Sequence, residues 1–165
     1  MKTIDIVKLK ETFRLNGNLE LERKNKVSGR WHIVKNKANF YKGYCQVAFN
    51  GTMCFYHRIL WCIYYGEDIK QGEIIDHKDG NRTNNKPGNL RLCNTYQNSY
   101  NRKLQSNNKT GYKGVSWNNG KKKYIAQIQE NGKKHFLGYY LSVLEAYASY
   151  CKASKKYHGE YGRVN

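Results

Sequence analysis

The segment Ile74–Asn101, IIDHKDGNRTNNKPGNLRLCNTYQNSYN, constrains this chain more than any other. A short apolar run ends in Asp76-His77. A polar stretch rich in Asn and Gly follows, a second apolar run covers Leu90–Cys93, and a helix is expected over Thr95–Arg102. The order is strand, loop, strand, helix. On a strand, successive side chains point to opposite faces, so Asp76 and His77 converge only where the backbone bends or the strand ends.

The surroundings of this segment are cationic. Of 165 residues, 30 are Lys or Arg and 12 are Asp or Glu, a formal charge of +18. A field of that sign draws in polyanions, and nucleic acid is the one that also rewards aromatic side chains, here 15 Tyr, 5 Phe and 3 Trp. Residues 1–106 carry 19 basic and 9 acidic side chains, and residues 107–165 carry 11 and 3, so both halves face the same polyanion. No run of apolar residues reaches a membrane-spanning length, and charges interrupt the opening MKTIDIVKLKETF, which does not read as a signal peptide. The five cysteines are odd in number and form no C-x-x-C pair, which argues against a disulfide framework and against a structural zinc site. A cytoplasmic rather than secreted protein is expected.

An α+β chain of two small domains follows from the local patterns. Residues 1–103 hold N-terminal strands and the motif of 74–102, the polar stretch 104–110 is a linker, and 111–165 form the second domain. In the first, Trp31–Val34 and Tyr44–Phe49 read as strands. Asn50-Gly51 closes a hairpin into Thr52–Tyr56, and a short apolar helix over His57–Tyr65 stops at Gly66. Residues 1–30 suggest an amphipathic helix and a polar hairpin around Gly17 and Gly29. In the second domain, strands are expected over Tyr112–Trp117, Lys123–Glu130 and Lys133–Tyr139, joined by Asn-Gly turns. Ser142 and Glu145 form a capping-box pattern for a helix presenting Ala146, Tyr150, Ala153 and Tyr157 on one face, ended by Gly159. Three antiparallel strands packed on one helix result.

The chemistry lies in the first domain. A phosphodiester resists hydrolysis because its charge repels the attacking oxygen and the leaving alkoxide is poor; a bound cation and a neutral imidazole offset both. Asp76 is a hard oxygen ligand suited to Mg²⁺ or Mn²⁺. His77 is the candidate base, Asn89 can hold its ring through a side-chain oxygen, and Asn98 offers a second oxygen to the cation. Arg82, Lys86 and Arg91 are candidate phosphate contacts. Asp79 is expected to shape the turn with Gly80, Asn84 and Asn85 to brace the loop, and His57 to make a structural hydrogen bond.

These residues resemble the HNH-type homing endonucleases, in the subgroup that carries Asp-His, then Asn in an N-L-R context, then Asn in a Q-N-x-x-N helix. The matching positions are Asp76-His77, Asn84-Asn85 with Asn89-Leu90-Arg91, and Gln97-Asn98 with Asn101, preceded by Tyr56-His57-Arg58-Ile59-Leu60. The resemblance implies a ββα-metal core with His77 as general base, Asn89 orienting it, and Asp76 and Asn98 holding one divalent cation. Asn98 stands where many relatives have His, which favours Mg²⁺ or Mn²⁺ over softer metals.

Residues 110–165 resemble a second family, the APETALA or ethylene-response-factor type of DNA-binding domain. The resemblance rests on Gly111-Tyr112-Lys113-Gly114-Val115, Tyr124-Ile125-Ala126-Gln127-Ile128, Phe136-Leu137-Gly138-Tyr139, Glu145-Ala146 and His158-Gly159-Glu160. Tyr124, Ala126 and Ile128 share the face that packs on the helix, while Ile125, Gln127 and Gln129 share the other. The resemblance carries DNA contacts to Lys113, Ser116, Asn118, Gln127, Gln129, Lys134 and Phe136. Together the two resemblances imply a monomeric, site-specific endonuclease of the mobile-intron kind, cutting double-stranded DNA with one divalent cation and nicking one strand per monomer. Its rival is a DNA-binding regulator that keeps a silent nuclease fold.

Overall fold

The computed structural model describes residues 4–35 and 43–164, and the chain divides into two compact units, 1–93 and 94–165. The division falls ahead of the seam expected at 104–110. The reason is that residues 94–110 are bonded into the second unit: the Asn108 carboxamide donates to the Tyr112 carbonyl and accepts from the N–H groups of Thr110 and Gly111.

In the first unit, Asp5 caps helix α1 (Ile6–Thr12) by accepting from the Lys8 N–H. A three-stranded antiparallel meander follows, β1 (Phe13–Leu15), β2 (Leu21–Lys24) and β3 (Trp31–Ile33); the strand expected over Trp31–Val34 is its third member, paired to the hairpin expected before it. β4 (Gln46–Phe49) and β5 (Thr52–Phe55) pair across Asn50-Gly51, both at positive φ (47° and 73°), which suits the right-handed twist of a two-residue hairpin. The chain passes directly into α2 (Tyr56–Tyr65), which Gly66 ends in the left-handed region at φ 79°. β6 (Ile74–His77) and β7 (Leu90–Cys93) then form the second hairpin, with Asp76 opposite Arg91 and His77 opposite Leu90.

The core that holds this hairpin gathers Leu9, Phe13, Leu21, Phe49, Ile59, Leu60, Trp61, Ile75 and Leu90. Each large side chain buried there contributes about 1.5–3 kcal/mol. Polar links also tie α2 to the rest. The Tyr56 hydroxyl accepts from the Leu21 N–H at 3.3 Å, and the Arg58 guanidinium grips Asp68, whose carboxylate also takes the N–H groups of Ile4 and Ile69. Burial pulls the Asp68 carboxyl upward, but Arg58 and the two N–H groups outweigh it and hold it below its ordinary value.

The second unit opens with α3 (Thr95–Tyr100), started by a capping box between Asn94 and Gln97 and shorter than the helix expected to Arg102. β8 (Val115–Asn118), β9 (Lys123–Glu130) and β10 (Lys133–Tyr140) form an antiparallel sheet in the order β10-β9-β8, and α4 (Val143–Tyr157) packs on one face. Ala126, Ile128, Ala146, Tyr150 and Ala153 are buried between them. Gly114 is obligatory: it sits at φ +73°, and a Cβ there would lie 2.0 Å from the Tyr150 ring. The whole is a mixed α+β architecture of several small antiparallel sheets.

Candidate active site

His77 is the last residue of β6, where the ladder with β7 stops, and its side chain is 3% exposed. Its Nε2 lies 2.9 Å from Oδ1 of Asn85, itself buried. An amide oxygen only accepts, so Nε2 carries the proton and Nδ1 is the basic nitrogen of the neutral ring. Hydrogen bonding to His77 was expected from Asn89; Asn85 supplies it instead. Asn89 ends the short 3₁₀ turn Pro87–Asn89, and its carboxamide is committed to the loop: Nδ2 donates to Asp79 Oδ1 and to the Asn84 carbonyl, while Oδ1 accepts from the Asp79 N–H.

The loop between β6 and β7 is thus built around Asp79. Its carboxylate takes the Asn84 Nδ2 at 2.7 Å, the Asn81 N–H at 2.8 Å and the Asn89 Nδ2 at 3.0 Å. Slight burial raises its pKa, and these donors more than reverse that, leaving it below the ordinary carboxylate range. The Gly80 N–H returns to the His77 carbonyl at 2.8 Å, with Gly80 at φ +69°. This bracing explains how a loop of Asn and Gly delivers one amide to one imidazole.

On the other side of the pleat, Asp76 Oδ2 accepts from Arg91 Nε at 3.0 Å and from Nη2 at 2.8 Å. Both residues are largely buried. Arg91, expected on phosphate, is therefore a partner of Asp76, because the antiparallel register sets these opposite charges face to face.

Around His77 stand Tyr44, with ring centroids 6.0 Å apart, and His57, at 5.2 Å and nearly perpendicular. His57 stacks on Phe55, and its buried Nδ1 has no hydrogen-bond partner, so the structural bond expected of it is not made at that atom. Burial, then His77 and Arg58, push its pKa down to about 3 and keep the ring neutral. Arg82 lies over the Tyr44 ring at 4.8 Å and is solvent-exposed, as is Lys86.

The remaining predicted residues lie in the second unit. Asn98 is half-buried on α3. Ser116, Gln129, Lys134 and Phe136 are exposed on the sheet face away from α4, with Asn118 and Gln127 half-buried there; the register pairs Phe136 with Gln127 and Lys134 with Gln129. Lys113 is a correction. Its Nζ donates to the carbonyls of Tyr100, Arg102 and Arg163 at 2.7, 2.8 and 2.9 Å, so its three protons are committed inside the unit rather than to DNA. Burial, with Arg163 and Arg102 nearby, draws its pKa down to about 8.

Among the described residues no group of three or more His, Cys, Asp or Glu side chains is clustered to hold a metal, and all five cysteines are free thiols. In the β6–β7 hairpin the carboxylate of Asp76 is a hard oxygen donor, a type that suits a hard cation rather than a thiophilic one. The sequence reading made Asn85 a brace of the loop and missed both it and Tyr44 as neighbours of His77. The only signal for Asn85 was its place in the Asn84-Asn85 pair, and Tyr44 carried none.

Comparison with known proteins bears on the same stretch. An HNH endonuclease family model matches residues 54–100, from β5 through α2 and the β6–β7 hairpin to α3. The chain is 34% identical over 95 residues to Protein 3.8 of Escherichia phage T7, covering 58% of this chain and 78% of that protein. It is also 34% identical over 98 residues to the uncharacterized HNH endonuclease L560 of Acanthamoeba polyphaga mimivirus, covering 58% of this chain and 51% of that one. No solved structure matches significantly. With the family match lying across the hairpin that carries Asp76, His77 and Asn89, and a viral relative aligned over most of its length, this chain belongs to the HNH endonucleases.

Proposed function

We propose that this nuclease cuts double-stranded DNA site-specifically, as a mobile-intron homing enzyme, with hydrolysis at the β6–β7 hairpin. The observation that carries the reading is the buried contact of His77 Nε2 with Asn85 Oδ1, which leaves Nδ1 as the basic nitrogen of the neutral ring. Nδ1 of His77 takes a proton from water, whose oxygen attacks phosphorus in line as the 3′-oxygen departs. Asn85 holds the ring, and Asn89 holds the loop that holds Asn85. Asp76 and Asn98 would bind one divalent cation, Mg²⁺ or Mn²⁺, in a ββα-metal arrangement of β6, β7 and α3. Such a cation supplies charge neutralisation at the phosphate. Arg91 positions the Asp76 carboxylate, and Arg82 and Lys86 contact phosphates near the cut.

The second unit, by its likeness to the APETALA-type domain, lays the face of Ser116, Asn118, Gln127, Gln129, Lys134 and Phe136 in the major groove. Amides there read adenine edges while Lys134 meets phosphate. One centre per monomer implies one nick per binding event.

The test is cleavage of genomic DNA from the source lineage, with Mg²⁺ and with EDTA, on strand-resolving gels. Discrete metal-dependent ends that fall about 10²–10⁴-fold in His77→Ala support the reading. One observation favours the rival regulator: Asp76 is already gripped by Arg91. Tight duplex binding with no cleavage in any divalent metal would decide for it.

A further inference from the structure

The β2–β3 turn stands open to solvent. All seven residues Lys24–Arg30 are solvent-exposed, with Val27 at 98%. The turn does not depend on its projecting side chains for its shape. Asn25 Oδ1 accepts from the N–H groups of Val27 and Ser28, both at 2.9 Å. The Gly29 N–H donates to the Asn25 carbonyl at 2.9 Å with Gly29 at φ +68°, and the Asn25 N–H donates to the Arg30 carbonyl at 2.8 Å. An Asx-type turn fixes the backbone, so Lys26, Val27 and Arg30 point outward from a pre-formed frame.

The charge on this meander is one-sided. Residues 13–35 contain Arg14, Arg23, Lys24, Lys26, Arg30 and Lys35 against Glu20 and Glu22. Glu22 is taken by Arg14 at 2.8 Å. Among the described residues, Lys26 and Arg30 form no ion pair. Trp31 is no open stacking platform for single-stranded bases, because Arg14 covers its ring at 4.4 Å and Lys24 lies at 6.0 Å. What remains is a cationic turn at one end of a three-stranded meander, with one apolar residue at its tip.

We propose that the β2–β3 hairpin is a second duplex-DNA contact of this nuclease, separate from the sheet of the second unit. Its turn, residues 25–30 beyond the end of the β1 pairing, enters the major groove, with Lys24, Lys26 and Arg30 on phosphates and Val27 toward base edges. The proposal rests on duplex DNA being the substrate, and it needs no catalytic step. Its consequence is that binding has a sequence-tolerant component located in the nuclease unit itself.

The experiment measures affinity of the full chain for random-sequence duplex DNA in EDTA over a range of salt, for wild type, the Lys26→Ala/Arg30→Ala pair and the milder Lys26→Gln/Arg30→Gln pair. Loss of two phosphate contacts lowers the slope of log K against log salt by about 2 and weakens binding roughly tenfold at about 0.1 M salt. Circular dichroism matching wild type confirms an intact fold. An unchanged slope in both pairs overturns the proposal, even if metal-dependent cleavage persists and the nuclease reading stands. A reduced slope in a protein that never cuts supports the hairpin while removing the catalytic reading. Equal losses on duplex RNA, whose deep narrow major groove does not admit the tip, overturn the groove assignment.

Discussion

The polar constellations around His77 in the first unit and around Tyr100 in the second differ in where most of their hydrogen bonds go. Around His77 they run mainly from side chain to side chain: His77 to Asn85, Asp76 to Arg91, Asp79 to Asn84 and Asn89. Around Tyr100 most run to main chain, beside the side-chain contacts of Tyr100 Oη with Asn131 Oδ1 and of Ser154 Oγ with His158 Nδ1. Lys113 donates to three carbonyls, His158 Nε2 donates to the Gln129 carbonyl at 2.8 Å, and the His158 ring stacks on Tyr100 at 3.7 Å. Most side-chain hydrogen bonds in proteins end on backbone or water, and only about 10–15% of all hydrogen bonds join two side chains. Bonds to carbonyls fix the path of the chain, here α3 against the sheet and the C-terminal segment. Bonds between side chains fix the orientation of groups that can exchange protons or bind ions. Both constellations hold a His and cations, so composition does not separate them; the acceptors do.

That contrast makes separable predictions. Lys113→Met leaves three carbonyls without their donor in a half-buried place, and should cost about 1–3 kcal/mol in urea unfolding. If the lysine served DNA instead, stability would hold and only binding would fall. Asn85→Ala should do the reverse. The imidazole loses the oxygen that sets its tautomer, and single-turnover cleavage should drop roughly tenfold to a hundredfold, in line with the 1–3 kcal/mol of one buried partner. Duplex affinity in EDTA should stay at the wild-type level, and an equal loss of affinity would make Asn85 a fold residue only.

The smallest effect concerns His57. Its folded pKa of about 3 lies below the ordinary 6.5, so below pH 6.5 the unfolded chain binds a proton that the folded chain refuses. Stability is therefore lost as pH falls from about 6.5 toward 3, by at most about 1.4 kcal/mol per pH unit. Urea midpoints of His57→Asn between pH 7 and 5 should decline less steeply than those of wild type. Parallel slopes would mean that other groups carry the acid sensitivity.

Much of the fold was legible where local chemistry has only one outlet. Asn50-Gly51 and Asn131-Gly132 sit at positive φ as such pairs must in tight hairpins, Gly66 ends α2, and the Ser142–Glu145 box opens α4. Alternation along β9 placed Ala126 and Ile128 inward and left Gln127 and Gln129 on the outer face, because a strand has only two faces. The opening segment was harder to read. Its strands of three and four residues are too short to show alternation, and the strand expected over Trp31–Val34 turns out to join the hairpin before it in one meander.

Within the candidate site, the residue types and their order were determined by the sequence alone: Asp76-His77 at a strand end, an Asn-rich loop, Asn89 before a second strand, Asn98 on a helix. Which amide meets which ring was decided only by the tertiary structure. Asn84, Asn85 and Asn89 are chemically identical, and only the closed loop around Asp79 sends Asn85 inward and keeps the other two for bracing. The same holds for Arg91 and Lys113, whose positive charges invite phosphate in a linear reading. In the fold, strand register hands Arg91 to Asp76, and carbonyls from the end of α3 and from the C-terminal segment converge on Lys113. A cation far in sequence from its partner carries no mark of that partnership until packing closes the distance.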